Sequence, residues 1–166
     1  MLFDLDGTLV DTGGAGLAAF NEAIRLVFGA DGPELDLAGA TDGGLLEKVY
    51  EHFAYEPTEK STALFFENYL ERLEYNLADP CYGGRLLEGG KTILRELMEL
   101  GIPMGLLTGN TAAGAEVKVR HYGIDGYFSF GAYGDDHANR NFLGPLALKR
   151  AEKTFSRSFE PEEAVI

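Results

Sequence analysis

The second half of the sequence alternates between helical patterns and short apolar runs. Residues 93–98 show helical spacing, Gly101 follows where a helix C-cap belongs, and residues 102–107 form a β-like run. The alternation continues with a helical pattern over 111–122, an aromatic strand-like run over 127–133, a helical pattern over 145–155 and the apolar start of a strand over 164–166. Strands separated by helices favour a parallel sheet with helices on both faces. The sequence therefore predicts an α/β fold with a Rossmann-like core.

Residues 15–79 contain helical and loop patterns only. Asp42 and Thr58 are each predicted to cap a helix, because a short polar side chain accepts hydrogen bonds from the first N–H groups of a helix. A helical block at this point in the chain would lie over the carboxyl ends of the parallel strands. The predicted division is a core of residues 1–14 and 81–166 and an inserted all-helical cap of residues 15–80.

The composition excludes several classes of function. The chain carries 14 Lys and Arg against 27 Asp and Glu, a net charge of −13, which repels nucleic-acid phosphates and anionic lipids. Its single cysteine cannot form an internal disulfide, and no segment resembles a signal peptide or a membrane span. We therefore expect a cytoplasmic protein that binds neither nucleic acid nor membranes; its oligomeric state is not predicted.

Two carboxylates follow the first apolar run. Asp4 and Asp6 come directly after residues 1–3, which predict a short buried strand. Side chains two apart in an extended segment point to the same side, so both carboxylates can converge on one cation. Hard oxygen ligands of this kind suit Mg²⁺. The same pattern is equally compatible with a simple strand end, in which the two residues form a turn with Gly7 and Thr8.

A second polar group follows the strand predicted over residues 102–107. Thr108, Gly109 and Asn110 combine a hydroxyl, an unobstructed backbone N–H and the start of a helix, which together make a small cradle for an anion. Capping of the following helix explains these residues equally well. Strand-end carboxylates opposite a phosphate cradle are the arrangement that Mg²⁺-assisted phosphoryl transfer requires.

Two motifs resemble a known superfamily. FDLDGTLVDT at residues 3–12 and LLTGN at residues 106–110 resemble the first and second motifs of the haloacid dehalogenase superfamily. The helical insertion after the first motif resembles a C1 cap, and the likeness is greatest to phosphoglycolate-phosphatase-like members. The resemblance implies a Mg²⁺-dependent phosphatase that acts on a small phosphorylated metabolite. A phosphomutase of the β-phosphoglucomutase type and a binding protein that has lost catalysis are the alternatives.

The resemblance also assigns roles to residues. It implies that Asp4 is the nucleophile, forms an aspartyl-phosphate and ligates Mg²⁺. Asp6 would be the general acid and then the general base, with its backbone carbonyl as a second metal ligand. Dehalogenation is disfavoured, because the dehalogenases of the superfamily lack this second acidic residue. Thr108, Gly109 and Asn110 would bind the phosphoryl oxygens.

The third and fourth motifs of the superfamily are less evident. The third supplies a cation, for which Arg140 is the first candidate by spacing, with Lys149 and Arg150 as alternatives. The fourth supplies further acidic metal ligands, and no equivalent is found before the sequence stops at EEAVI. Gly134, Asp135 and Asp136 are interpreted as a solvated loop. We expect that the printed sequence ends as the fourth strand begins, and that these residues alone bind Mg²⁺ weakly and have little activity.

Three loops are predicted to serve the cap. The glycine-rich residues 13–16 lack the Lys-Ser/Thr ending of a phosphate-binding P-loop and are interpreted as a hinge between core and cap. Residues 80–84 form the returning linker, so the two together would let the cap open and close. The resemblance to C1-capped members of the superfamily implies that the loop at residues 41–44 reaches the active site and selects the substrate.

Overall fold

A computed structural model describes residues 1–166 as an α/β protein. The strands are β1 (Leu2–Phe3), β2 (Val10–Asp11), β3 (Arg85–Leu86), β4 (Gly105–Leu107) and β5 (Phe130–Ala132). The helices are α1 (Ala15–Phe28), α2 (Asp42–His52), α3 (Glu59–Ala78), α4 (Gly90–Glu99), α5 (Ala112–His121) and α6 (Leu143–Phe155). No helix is both long enough and apolar enough to cross a lipid bilayer.

A three-stranded parallel sheet has the order β1–β4–β5. In the register of the sheet, Leu2 lies opposite Gly105, and Gly105 lies opposite Phe130. Every residue of the central strand β4 is buried, as expected for a strand covered on both faces. The predicted α/β class with a parallel sheet is confirmed.

Two predicted strands are shorter or less regular than expected. Residues 125–127 form a 3₁₀ turn instead of extending β5, which begins at Phe130. Residues 164–166 form no strand, but the carbonyl of Val165 accepts a hydrogen bond from the N–H of Leu2 at 2.8 Å. The end of the chain therefore lies beside β1, on the edge that faces away from β4.

The apolar residues form separate clusters in the two parts of the molecule. Helices α1, α2 and α3 enclose a cluster of 13 buried residues, in which the ring of Phe20 contacts the edges of Phe65 and Tyr69 at centroid distances of 4.9 and 5.4 Å. Burial of such a side chain contributes about 1.5–3 kcal/mol to folding. A second cluster of 10 residues includes Leu5 and Leu94 and packs helices α4 and α5 against β1 and β4.

The two linkers between helical block and sheet lie side by side. β2 precedes α1, β3 follows α3, and the two strands pair antiparallel. Gly13 has a φ of 60°, and a Cβ added there would lie 1.7 Å from the carbonyl oxygen of Tyr82. Only glycine, which has no Cβ, allows the two linkers to approach each other this closely. The interpretation of these linkers as a hinge, and the division into core and cap, remain predictions.

Candidate active site

The polar residues that follow β1 and β4 open into one cavity. Its volume is about 650 Å³, within the range of small-molecule sites. The floor comes from the strand ends, and the opposite wall comes from α1, α2, α3 and the loop before α2. The side chains that matter for its chemistry are those of Asp4, Asp6, Asp42, Tyr69, Thr108, Asn110, Lys118 and Arg140.

Asp4 lies on the floor of the cavity and is held on both carboxylate oxygens. Oδ1 accepts a hydrogen bond from the N–H of Leu5 at 2.8 Å, and Oδ2 accepts one from Nη2 of Arg140 at 2.5 Å. Arg140 also donates to the carbonyl of Leu107 at 3.3 Å, which ties the guanidinium to the end of β4. A cation thus stands directly beside the carboxylate that was predicted to be the nucleophile.

The two alternative cations lie elsewhere. Lys149 is exposed on α6. Arg150 makes two hydrogen bonds to the carboxylate of Asp136, at 2.5 and 2.6 Å, and a third to the carbonyl of Gly131. Of the three candidates, only Arg140 reaches Asp4.

The acidic loop after β5 has structural partners. Besides its ion pair with Arg150, Asp136 accepts a hydrogen bond from the N–H of Tyr133. Asp135 accepts one from the N–H of Ala112, at the start of α5. The interpretation of this segment as a solvated loop was therefore incomplete, because its carboxylates fix the loop to α5 and α6.

Asp6 is held by a lysine that the sequence analysis missed. Nζ of Lys118, on α5, donates to both carboxylate oxygens of Asp6 at 2.9 and 2.7 Å and to Oδ1 of Asn110 at 2.6 Å. The Lys118 side chain is only 4% exposed, whereas that of Asp6 is 44% exposed. A buried ammonium group requires such partners. The only signal in the sequence is a lysine between two valines on a helix that packs on the core.

Thr108 and Asn110 form the other side of the floor. Nδ2 of Asn110 donates to Asp6 Oδ2 and to Thr108 Oγ1, both at 2.8 Å. The cap of α5 is instead Thr111, whose hydroxyl accepts from the N–H of Gly114 at 3.1 Å. Capping therefore does not account for Thr108 and Asn110, and both line the cavity.

The loop before α2 lies directly on the floor. Thr41, not Asp42 as predicted, caps α2 by accepting a hydrogen bond from Gly44. The N–H of Asp42 donates to the carbonyl of Gly109 at 2.7 Å, and its Oδ2 accepts from the N–H of Thr111 at 2.9 Å. Asp42 points toward the core because α5 offers its side chain a free N–H group.

The position of Asp42 changes its acidity. The residue is 9% exposed, and this burial raises the pKa of its carboxyl from 3.8 to about 6, although the charge of Lys118 opposes the rise. The close approach of the loop depends on Gly109, where an added Cβ would lie 2.0 Å from the carbonyl oxygen of Ala40. A carboxylate from the helical block thus stands in the cavity with little solvent around it.

Tyr69 of α3 belongs to the apolar cluster of the helical block and also lines the cavity. It is 2% exposed, and burial, together with the nearby carboxylates of Asp42 and Asp6, raises the pKa of its hydroxyl well above 10. The hydroxyl therefore stays protonated and can donate a hydrogen bond.

The floor presents two oxygen donors of the kind that bind hard metal ions. No group of three or more His, Cys, Asp or Glu side chains converges anywhere in the chain. Both carboxylate oxygens of Asp6 accept hydrogen bonds from Lys118, and the metal-ligating group of this residue that the resemblance implies is its backbone carbonyl. The Asp4 carboxylate and this carbonyl are hard oxygen donors, and they fit a Mg²⁺ ion that keeps several waters and binds substrate phosphate.

Comparison with known families places the chain. The sequence profile of the haloacid dehalogenase-like hydrolases matches residues 1–144. The chain belongs to this family. Among curated proteins, none matches it.

Solved structures with a similar fold include a predicted phosphoglycolate phosphatase from Haemophilus somnus, with 23% identity and a TM-score of 0.56. The match covers 81% of this chain and 62% of that one, so the chain spans less than two thirds of that structure's length. CbbY from Rhodobacter sphaeroides in complex with phosphate has 23% identity and a TM-score of 0.70, over 91% of this chain and 71% of that one. A mutant of CbbY in complex with xylulose-1,5-bisphosphate has 22% identity and a TM-score of 0.71, with the same coverage. These similarities show the shared fold.

Proposed function

We propose that the protein is a Mg²⁺-dependent phosphatase that hydrolyses a small phosphorylated metabolite through an aspartyl-phosphate on Asp4. One observation carries this proposal: Asp4 and Asp6 stand at the same strand end, each held by its own cation, Arg140 and Lys118. A turn at a strand end would need neither cation. Two carboxylates with different partners are suited to two different tasks in one reaction.

In the first step, an oxygen of Asp4 attacks phosphorus, and the bond between phosphorus and the alcohol oxygen breaks. The alcohol leaves with a proton that Asp6, in its protonated form, donates. Attack of a carboxylate on a phosphate brings two anions together, and at about 4 Å this repulsion is about 4 kcal/mol near a protein surface. Arg140 offsets it, because its guanidinium already contacts Asp4 and can bind a phosphoryl oxygen from the same position.

In the second step, water attacks the phosphorus of the aspartyl-phosphate. Asp6 accepts the proton of this water, the bond between phosphorus and Asp4 breaks, and inorganic phosphate is released. Lys118 and Asn110 hold the carboxylate of Asp6 in one orientation for both steps. Such positioning lowers the entropic cost of reaching the reactive geometry.

The remaining floor residues stabilise the transferring group. The Thr108 hydroxyl and the backbone N–H of Gly109 would bind phosphoryl oxygens, with Asn110 beside them, as charge develops in the transition state. Mg²⁺, held by the Asp4 carboxylate and the Asp6 carbonyl, would supply further neutralisation of the phosphate charge. Residues 15–80 would act as a cap that excludes water, with residues 13–16 and 80–84 as its hinge.

The test is hydrolysis of p-nitrophenyl phosphate by the full-length protein in the presence of Mg²⁺. Asp4→Asn should reduce kcat by about 10³-fold or more, because an amide is neither a nucleophile nor an adequate metal ligand. Asp125→Asn is the matched control, since Asp125 is exposed and lies outside the cavity lining. Retention of the rate by Asp4→Asn would disprove the mechanism. Measurement of free phosphate separates a phosphatase from a mutase, which returns the phosphoryl group to a sugar.

A further inference from the structure

The wall of the cavity opposite Asp4 has no positive charge. This wall, called the distal wall below, comes from the helical block and consists of Leu17, Phe20, Leu37, Ala38, Gly39, Ala40, Asp42, Leu45 and Tyr69. It contains no Lys, Arg or His. The cavity as a whole is lined by two cations, Lys118 and Arg140, and both come from the core. Each is already paired with a floor carboxylate, Asp6 or Asp4.

The distal wall instead carries a negative charge. Asp42 contributes a carboxylate that has little solvent to screen it. A second carboxylate, Asp11, lines the cavity at the start of the linker and pairs with Arg85, which is not part of the lining. An anion on the alcohol portion of a substrate would meet the carboxylate of Asp42, and the distal wall offers it no positive charge. Burial of an unpaired charge beside a like charge is strongly unfavourable.

Tyr69 gives the distal wall one hydrogen-bond donor. Its hydroxyl makes no hydrogen bond to another protein group, yet it is not among the enclosed polar atoms that lack a partner. The hydroxyl oxygen is therefore accessible from the cavity that Tyr69 lines. Together with the carboxylate of Asp42, which accepts hydrogen bonds, it offers the donor and acceptor pair that an alcohol group requires.

We infer that the substrate is a phosphomonoester of a small polyol or sugar, whose alcohol portion carries hydroxyl groups and no second anion. The phosphoryl group would bind Thr108, Gly109 and Arg140 on the floor, and the hydroxyl groups would face Tyr69 and Asp42. This inference rests on the proposed phosphatase function and narrows its substrate class. It disfavours phosphoglycolate and sugar bisphosphates as substrates of this protein.

A matched pair of substrates tests the inference on the unmodified protein. Glycerol 3-phosphate and 3-phosphoglycerate have the same chain length and differ in one group, CH₂OH against carboxylate. At pH 8, kcat/KM for glycerol 3-phosphate should exceed that for 3-phosphoglycerate about tenfold or more. Equal values, or a preference for 3-phosphoglycerate, would overturn the inference.

Two variants assign the selectivity to the distal wall. Asp42→Asn removes the charge while its amide oxygen can still accept from Thr111, so it should raise the kcat/KM ratio of 3-phosphoglycerate to glycerol 3-phosphate several-fold. Tyr69→Phe should lower kcat/KM for glycerol 3-phosphate several-fold more than kcat/KM for p-nitrophenyl phosphate, because an aryl group needs no hydroxyl partner. Tyr75→Phe on the same helix is the control, since Tyr75 is 67% exposed. Unchanged ratios in both variants would contradict the assignment.

The assays also separate the two proposals. Hydrolysis of p-nitrophenyl phosphate without the preference for glycerol 3-phosphate would overturn the substrate class and leave the phosphatase function standing. No hydrolysis of any phosphomonoester by the full-length protein would overturn both.

Discussion

Asp42 should destabilise the folded protein at neutral pH, and Asp42→Asn should remove this effect. The carboxyl is buried, and its pKa rises from 3.8 in the unfolded chain to about 6 in the folded one. Each tenfold change in proton affinity corresponds to about 1.4 kcal/mol, so ionisation of Asp42 lowers the free energy of unfolding by about 3 kcal/mol. The Asn amide keeps an acceptor for the N–H of Thr111, so the hydrogen bond to α5 survives the substitution.

The sign of the pH dependence follows from the direction of the pKa change. A raised folded-state pKa means that the folded protein binds the proton more tightly. The stability gained from protonation is therefore fully present below pH 3.8 and is lost as the pH rises through about 6. The free energy of unfolding of Asp42→Asn should exceed that of the unmodified protein by about 3 kcal/mol at pH 8. This difference in stability should shrink toward zero near pH 4.

Urea unfolding followed by circular dichroism at pH 8, 6 and 4 measures these differences. Asp125→Asn is the control for loss of a negative charge at an exposed position, and we expect a change within about 0.5 kcal/mol. The reasoning is refuted if Asp42→Asn is no more stable than the unmodified protein at pH 8, or if its advantage grows as the pH falls.

Three further substitutions probe the floor of the cavity. Gly109→Ala places a Cβ 2.0 Å from the Ala40 carbonyl oxygen and should lower the free energy of unfolding by about 1–3 kcal/mol, measured by urea unfolding. Gly126→Ala is the control, because a Cβ added there has no atom within 4 Å and should leave the stability unchanged. Lys118→Met leaves Asp6 without its cation and should lower kcat on p-nitrophenyl phosphate about tenfold or more, measured against the exposed Lys91→Met. Arg140→Lys keeps the charge but loses the planar guanidinium, so KM for p-nitrophenyl phosphate should rise and kcat should fall. Unchanged values of both constants would exclude Arg140 from the phosphate site.

Local patterns in the sequence were sufficient to predict that the polar residues at strand ends lie close together. Asp4, Asp6 and Thr108 each follow a short apolar run, and the carboxyl ends of parallel strands meet at one edge of a sheet. Arg140 was selected by spacing from the third strand, and the structure brings it to Asp4. These predictions needed only the order of elements along the chain.

Residues whose roles depend on distant partners were not predictable in this way. Lys118 meets Asp6 across a separation of 112 residues, and nothing in its helix marks it as a partner for that carboxylate. Asp42 was interpreted as a helix cap because it is a short polar residue just before a helical pattern. Its side chain instead accepts a hydrogen bond from the N–H of Thr111, at the start of another helix, and this partner cannot be recognised from the residues around Asp42. Tyr69 has the sequence context of a core residue, and its exposure to the cavity depends on the packing of three helices.

The contact between the loop before α2 and the floor is made largely by backbone atoms. Gly109 approaches the carbonyl of Ala40, and an added Cβ at Gly134 would lie 1.9 Å from the carbonyl oxygen of Gly109. Such a seam depends on the absence of side chains at the glycines. Leu37 lines the cavity and is 47% exposed, so a substitution there can change the preference for ligands and leave this backbone contact intact. A designer who wishes to retarget this protein should vary Leu37 and leave the glycines intact.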